Sequence, residues 1–145
     1  MRSSISLKLP YGAEEARIFL DKLLPSAPSV PVQIAHFCGT ASFVQDPPVD
    51  AALGVFIDAI QKKDPRTKNL WFDVATVADA DATPEHARYL AKRIRQIGVK
   101  RVLYGSDAAI PPNFPKAGWA TFRKLPLTED EFRTIANNVA PYLKK

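Results

Sequence analysis

With 145 residues, 46% of them hydrophobic and 10% aromatic, the chain is long and apolar enough for one globular domain, whose core would bury roughly two thirds of the surface the unfolded chain exposes. No apolar run reaches bilayer length, and Met1-Arg2-Ser3-Ser4 leads into alternating Ile5-Ser6-Leu7-Lys8-Leu9, too short and polar for a secretory leader. The single cysteine, Cys38, excludes an internal disulfide and points to a reducing cytoplasm, while 20 basic and 15 acidic residues are interspersed along the chain, the pattern of solvated helix faces rather than of a nucleic-acid footprint.

Taken in order, Ile5 to Leu9 alternates like a short strand and stops at Pro10-Tyr11-Gly12. Ala13 to Leu24 has the spacing of an amphipathic helix, with Ala16, Phe19, Leu20, Leu23 and Leu24 on its apolar side. Val30 to His36 reads as a buried strand ending in a histidine. After a loop over Phe37 to Asp46, Pro47-Pro48 suits a helix entry, and the helix from about Val49 to Lys62 places Leu53, Phe56, Ile57 and Ile60 on one face. A turn at Asp64-Pro65-Arg66-Thr67 precedes a second strand over Leu70 to Ala75.

Thr83-Pro84 has the form of an N-cap followed by a first-turn proline, and its helix runs to about Ile97, with Gly98 as an αL terminator. The third strand, Arg101-Val102-Leu103-Tyr104-Gly105-Ser106-Asp107, ends in a carboxylate. Ile110 to Pro115 reads as irregular loop and Trp119 to Arg123 as a short helix. Thr128-Glu129-Asp130-Glu131 is a capping box that opens a last helix carrying Phe132, Ile135 and Ala136. This alternation predicts an α/β domain of three parallel strands joined by right-handed crossovers, either a doubly wound sheet or part of a (β/α)8 barrel. The strands are apolar on both faces, as expected when both are covered.

Parallel strands would bring His36 and Asp107 out at one edge of the sheet, where active sites of α/β proteins collect. His36 is either a metal ligand or general base, or a hydrogen-bonded structural histidine; Asp107 is either a metal ligand and proton shuttle, or an Asx turn or N-cap. Cys38, two residues past His36, would share its face in an extended continuation and form a soft metal pair with it, but a buried free thiol is the commoner situation. His86 falls in the first turn of a helix and reads as a solvated surface residue. Asp73, in mid-strand, needs partners if buried, and reads as support for the sheet edge or for a neighbouring residue of the site rather than as a catalytic group. Gly39-Thr40-Ala41-Ser42 is small enough to approach a ligand, and no phosphate loop, dinucleotide fingerprint or nucleophile elbow occurs.

Val32-Gln33-Ile34-Ala35-His36 with Gly39, Leu70-Trp71-Phe72-Asp73-Val74, Arg101 to Asp107, and Leu127-Thr128-Glu129-Asp130-Glu131 through Asn138 resemble, in order and spacing, the C-terminal half of amidohydrolase-related proteins, metal-dependent hydrolases and decarboxylases. The resemblance runs from about Tyr11 onward, and Tyr-Gly-Ser-Asp is its most specific motif. It implies a partial (β/α)8 barrel in which the three strands are the sixth, seventh and eighth. By the same resemblance His36 and Asp107 are catalytic and metal-binding residues for a divalent ion, zinc or manganese. The substrate would be a small-molecule carboxylate, lactone, ester or amide.

The family's first-strand His-x-His pair and fifth-strand histidine have no counterpart, and a whole barrel takes roughly 250 residues. The expectation is therefore a single truncated domain over residues 1–145, inactive as an isolated chain, with neither nucleic-acid nor membrane partners. The alternative is a non-catalytic half-barrel used for association. If Asp107 points inward, alternation puts Leu103 and Gly105 on the inner face, and the same argument for His36 puts Val32 and Ile34 there. That face would be closed by self-association or by a partner chain supplying the rest of the barrel, with Ile5 to Leu9 able to protect one edge.

Overall fold

Strands β1 (Val32–Ile34), β2 (Leu70–Asp73) and β3 (Val102–Leu103) form a parallel sheet in the order β1-β2-β3. The structure is a computed structural model that describes residues 11–39, 46–75, 83–105 and 115–143. Ile5 to Leu9, most of the Gly39 to Ser42 loop, Asp107 and the Ile110 to Phe114 stretch lie outside the described residues. Val32 pairs with Leu70, Ile34 with Phe72, Phe72 in turn with Val102, and Asp73 with Leu103. The strands are shorter than their apolar runs because only these segments keep ladder pairing before each chain turns toward its loop.

Helix α1 (Ala13–Ile18) passes without a break into a π turn over Phe19–Leu23 and a 3₁₀ turn over Leu24–Ser26. The π turn, closed by the Leu24 N–H on Phe19 O, shifts the helical phase. Ala16, Leu20 and Leu24 stay buried, whereas Leu23, expected on the apolar side, is exposed. Helix α2 (Pro47–Gln61) starts two residues earlier than its periodicity suggests, since both prolines fit the first turn and the Asp46 carboxylate accepts the Val49 N–H. Helix α3 (Pro84–Ile97) begins with the Thr83 hydroxyl accepting the His86 N–H at 3.2 Å. It ends at Gly98, whose φ of 96° is positive but whose ψ of 121° lies outside the αL region. Helices α4 (Pro115–Phe122) and α5 (Glu129–Asn137) follow, the second with its capping box formed. Proline at the first position lets α4 start earlier than the expected Trp119.

Each step from β1 to β2 to β3 crosses the sheet in the same direction, so right-handed crossovers put α2 and α3 on one face. There α1 packs on α2 and α2 on α3. Leu70, Phe72 and Val102 are buried against this layer, with Val32 and Ile34 packed partly beside them. Edge-to-face contacts of Phe72 with Phe56 and Phe37, at 5.9 and 6.0 Å between centroids, fill its centre. Alternation turns Gln33, Asp73 and Leu103 to the opposite face, where the segment after α5 lies. This corrects the expectation for β1: Gln33, not Val32 or Ile34, points away from the helices. The expectation failed because a left-handed turn at His36 interrupts the alternation between the two.

At the other end of the sheet the Arg101 guanidinium donates to Thr67 O and Leu70 O at 2.6 and 3.0 Å, tying the entries of β2 and β3 together. Its burial lowers its pKa from the usual arginine value. No helix among the described residues is long and apolar enough to cross a membrane.

Candidate functional site

At the C-terminal ends of the strands the chain changes from ladder to left-handed turn. His36, Phe37 and Cys38 have φ of 49°, 51° and 74°, a run of positive values with no glycine in it. Each non-glycine residue in this region costs about 1 kcal/mol relative to a right-handed one, so the turn must be held from outside. Burial and hydrogen bonding both help to hold it. Phe37 is fully buried against Phe72, and the His36 N–H donates to Asp73 Oδ1 at 2.9 Å.

Asp73 is 6% exposed, and its carboxylate is engaged on both oxygens. Oδ1 accepts the N–H groups of His36 and Ala75, the latter at 3.1 Å, and Oδ2 accepts Gln33 Nε2 at 2.7 Å. With three N–H donors the carboxylate is satisfied inside the protein, which fits the reading of Asp73 as support for the sheet edge. Because a carboxylate only accepts, the Gln33 amide must present nitrogen to it, leaving Oε1 to accept the Tyr142 hydroxyl at 2.5 Å.

The His36 ring is fixed as well. Its Nδ1 lies 2.9 Å from Ala75 O. A carbonyl oxygen only accepts, so Nδ1 carries the hydrogen and, in the neutral ring, Nε2 carries the lone pair. That is the tautomer a metal ligand or general base uses when its other nitrogen is oriented by a backbone carbonyl.

These residues line a cleft of about 520 Å³ with Leu103, Tyr104, Gly105, Asn138, Val139, Ala140 and Leu143. Tyr104 borders the cleft but its ring is wedged against Trp119 and Phe122 beside the core, and burial pushes its pKa up. The side chain of Asn138 is committed to backbone carbonyls outside the cleft. Tyr142 and Leu143 form an exposed rim, 59% and 67% accessible.

The residues singled out from the sequence separate clearly. His36 is in the cleft, and Asp107 lies outside the described residues, two positions beyond Gly105 at the cleft's edge. Cys38 faces elsewhere, beside Tyr11 and Ile34. Burial pushes its thiol up to about 12. His86 sits half-exposed in the first turn of α3. Among the described residues no group of three or more His, Cys, Asp or Glu side chains could hold a metal ion. Gln33 and Tyr142 were missed by sequence reasoning; polar Gln33 inside an apolar strand was a usable signal, whereas Tyr142 carried none.

A second cleft, of about 510 Å³, lies between α1 and α2, but its charged lining is largely paired, Lys62 with Asp58 and Arg66 with Asp64 and Asp21. No family model matches the chain, and neither a curated protein nor a solved structure matches it.

Proposed function

We propose that the chain is an amidohydrolase-like domain, a metal-dependent hydrolase or decarboxylase acting on a small-molecule carboxylate, lactone, ester or amide, with β1 to β3 as the sixth to eighth strands of a (β/α)8 barrel. The observation that carries this reading is His36: it closes a parallel strand at the C-terminal end of the sheet, lines the cleft, and has its ring oriented through Nδ1. Its Nε2, with Asp107 from the end of the third strand run, would hold a zinc or manganese ion. Such an ion supplies Lewis-acid polarisation and a water of lowered pKa.

The chain's own residues do the rest. Ala75 orients the imidazole, Asp73 is spent on backbone and amide N–H groups and does not compete as a ligand, and Leu103, Val139 and Leu143 give the cleft an apolar wall. An imidazole and a carboxylate fall short of the three protein ligands usual for catalytic zinc, so the isolated chain turns over little or nothing. After dialysis the chain should retain weak zinc or manganese binding that His36→Ala and Asp107→Asn each abolish. Binding unchanged in both variants would end the metal reading. Robust turnover of lactones or aryl esters, lost in Asp107→Asn, would end the claim of inactivity.

A second reading, association through the sheet face opposite the helices, is favoured by the exposure of Val139, Tyr142 and Leu143 there and by the two edge strands β1 and β3. A second copy or a partner chain would cover this face. Sedimentation equilibrium at micromolar concentration should then show self-association, and a monomer whose melting temperature is independent of concentration would contradict it.

A further inference from the structure

We infer that Asp73 is a positioning residue for His36, acting through both the backbone and the ring of the histidine, with Gln33 and Tyr142 behind it. The inference rests on the reading of His36 as the working group of the cleft. Its basis is the sharing of one carboxylate oxygen. Asp73 Oδ1 binds the N–H of His36 and the N–H of Ala75 at 2.9 and 3.1 Å, and the carbonyl of that same Ala75 accepts from His36 Nδ1 at 2.9 Å. The carboxylate thus sets the spacing between the histidine backbone and the acceptor that fixes its ring.

Without Asp73, one buried and one partly buried N–H group lose their acceptor, the left-handed turn loses part of its outside support, and Ala75 O is no longer tethered where the ring needs it. Gln33 and Tyr142 complete the arrangement. Gln33 Nε2 locks the rotation of the carboxylate at 2.7 Å, and the Tyr142 hydroxyl locks the Gln33 amide at 2.5 Å. The segment after α5 is thereby coupled to the histidine, although Tyr142 lies far from it in sequence. A residue that only filled space would leave the His36 tautomer alone; a positioning residue would not.

The sequence holds two histidines, so imidazole ¹⁵N–¹H spectra of the metal-free chain in EDTA give two spin systems, assignable with His86→Gln. In the native chain His36 should show the Nδ1–H form. Asp73→Ala should reduce the preference for that form by about tenfold, the size expected from losing one hydrogen bond, and leave His86 unmoved. Asp73→Asn should restore it, because the Asn oxygen can accept both N–H groups while the Gln33 amide turns over to accept from the new NH₂, and Tyr142 then accepts from Gln33.

Should Asp73→Ala not fold, Gln33→Met, at a half-buried position, should shift the His36 resonances in the same direction by a smaller amount. A folded Asp73→Ala, or failing that a folded Gln33→Met, whose His36 tautomer matches the native chain would overturn the inference. The experiment contains no metal, so the outcomes stay separable. A chain that binds no metal but responds in this way contradicts the proposed function alone; one that binds metal with an unresponsive tautomer contradicts the positioning role alone.

Discussion

The side-chain amide of Asn138 donates to Val99 O and Val102 O at 2.7 Å each, so the residue that ends α5 also anchors the start of β3. Asn138→Ala would leave two partly buried carbonyls without that donor and should cost about 1–3 kcal/mol of stability. The midpoint of urea unfolding should fall accordingly, with little change in slope. An unchanged midpoint would show that water replaces the amide at no cost.

Gly39 is required by its neighbour rather than by its backbone, which is extended at φ −151°. A Cβ there would stand 2.5 Å from Val49 Cγ1, so Gly39→Ala should destabilise the chain by about 1–3 kcal/mol through overpacking. The double variant Gly39→Ala with Val49→Ala tests the cause. The two changes should couple favourably, the double variant being more stable than the sum of the single losses predicts. Simple additivity would contradict the contact.

Glu131 links α5 to α3 by pairing with Arg95 at 2.7 Å while it caps Thr128 N–H. The Arg95 hydrogen bond, with the Thr128 contact behind it, lowers its pKa from 4.5 to about 2. Because the folded pKa is the lower one, the stability it contributes is present above about 4.5 and is lost as pH falls toward 2. Solvent screening at this exposed pair keeps the effect modest. Glu131→Gln should lower stability at neutral pH and flatten its decline over that acid range. An identical acid profile in the variant would remove Glu131 from the account.

Cys38 offers a kinetic check on the core. With its pKa pushed up to about 12 by burial, at pH 8 it should react with a thiol reagent about a thousandfold more slowly than an ordinary cysteine, and at the ordinary rate in urea. Fast labelling under native conditions would mean that the left-handed turn opens readily.

Much of the fold was legible where local chemistry and tertiary demand agree. Thr83-Pro84, Thr128 to Glu131 and Pro47-Pro48 announce helix starts because their capping side chains accept first-turn N–H groups and their prolines, with φ preset, have no N–H to satisfy, whatever the helix packs against. The three apolar runs announce buried parallel strands. The phase of α1 beyond Ile18 was hidden because a π turn depends on what the helix meets, and Leu23 is exposed as a result. The turn at His36 was hidden for a stronger reason. Positive φ is ordinarily read from glycine, and here Asp73 and buried Phe37, both set by tertiary structure, hold three non-glycine residues in it. The place of His36 at the cleft was therefore legible from its position at a strand end, but the face of β1 beneath it was not.

The central claim is that His36 and Asp107 share a divalent ion at the C-terminal edge of the sheet, and manganese titration followed by NMR tests it most directly. Substoichiometric Mn²⁺ should broaden the His36 imidazole signals while those of His86, on α3, stay sharp, and Asp107→Asn should abolish the selectivity. Equal broadening of both histidines, or selective broadening of His36 that persists in Asp107→Asn, would contradict the account.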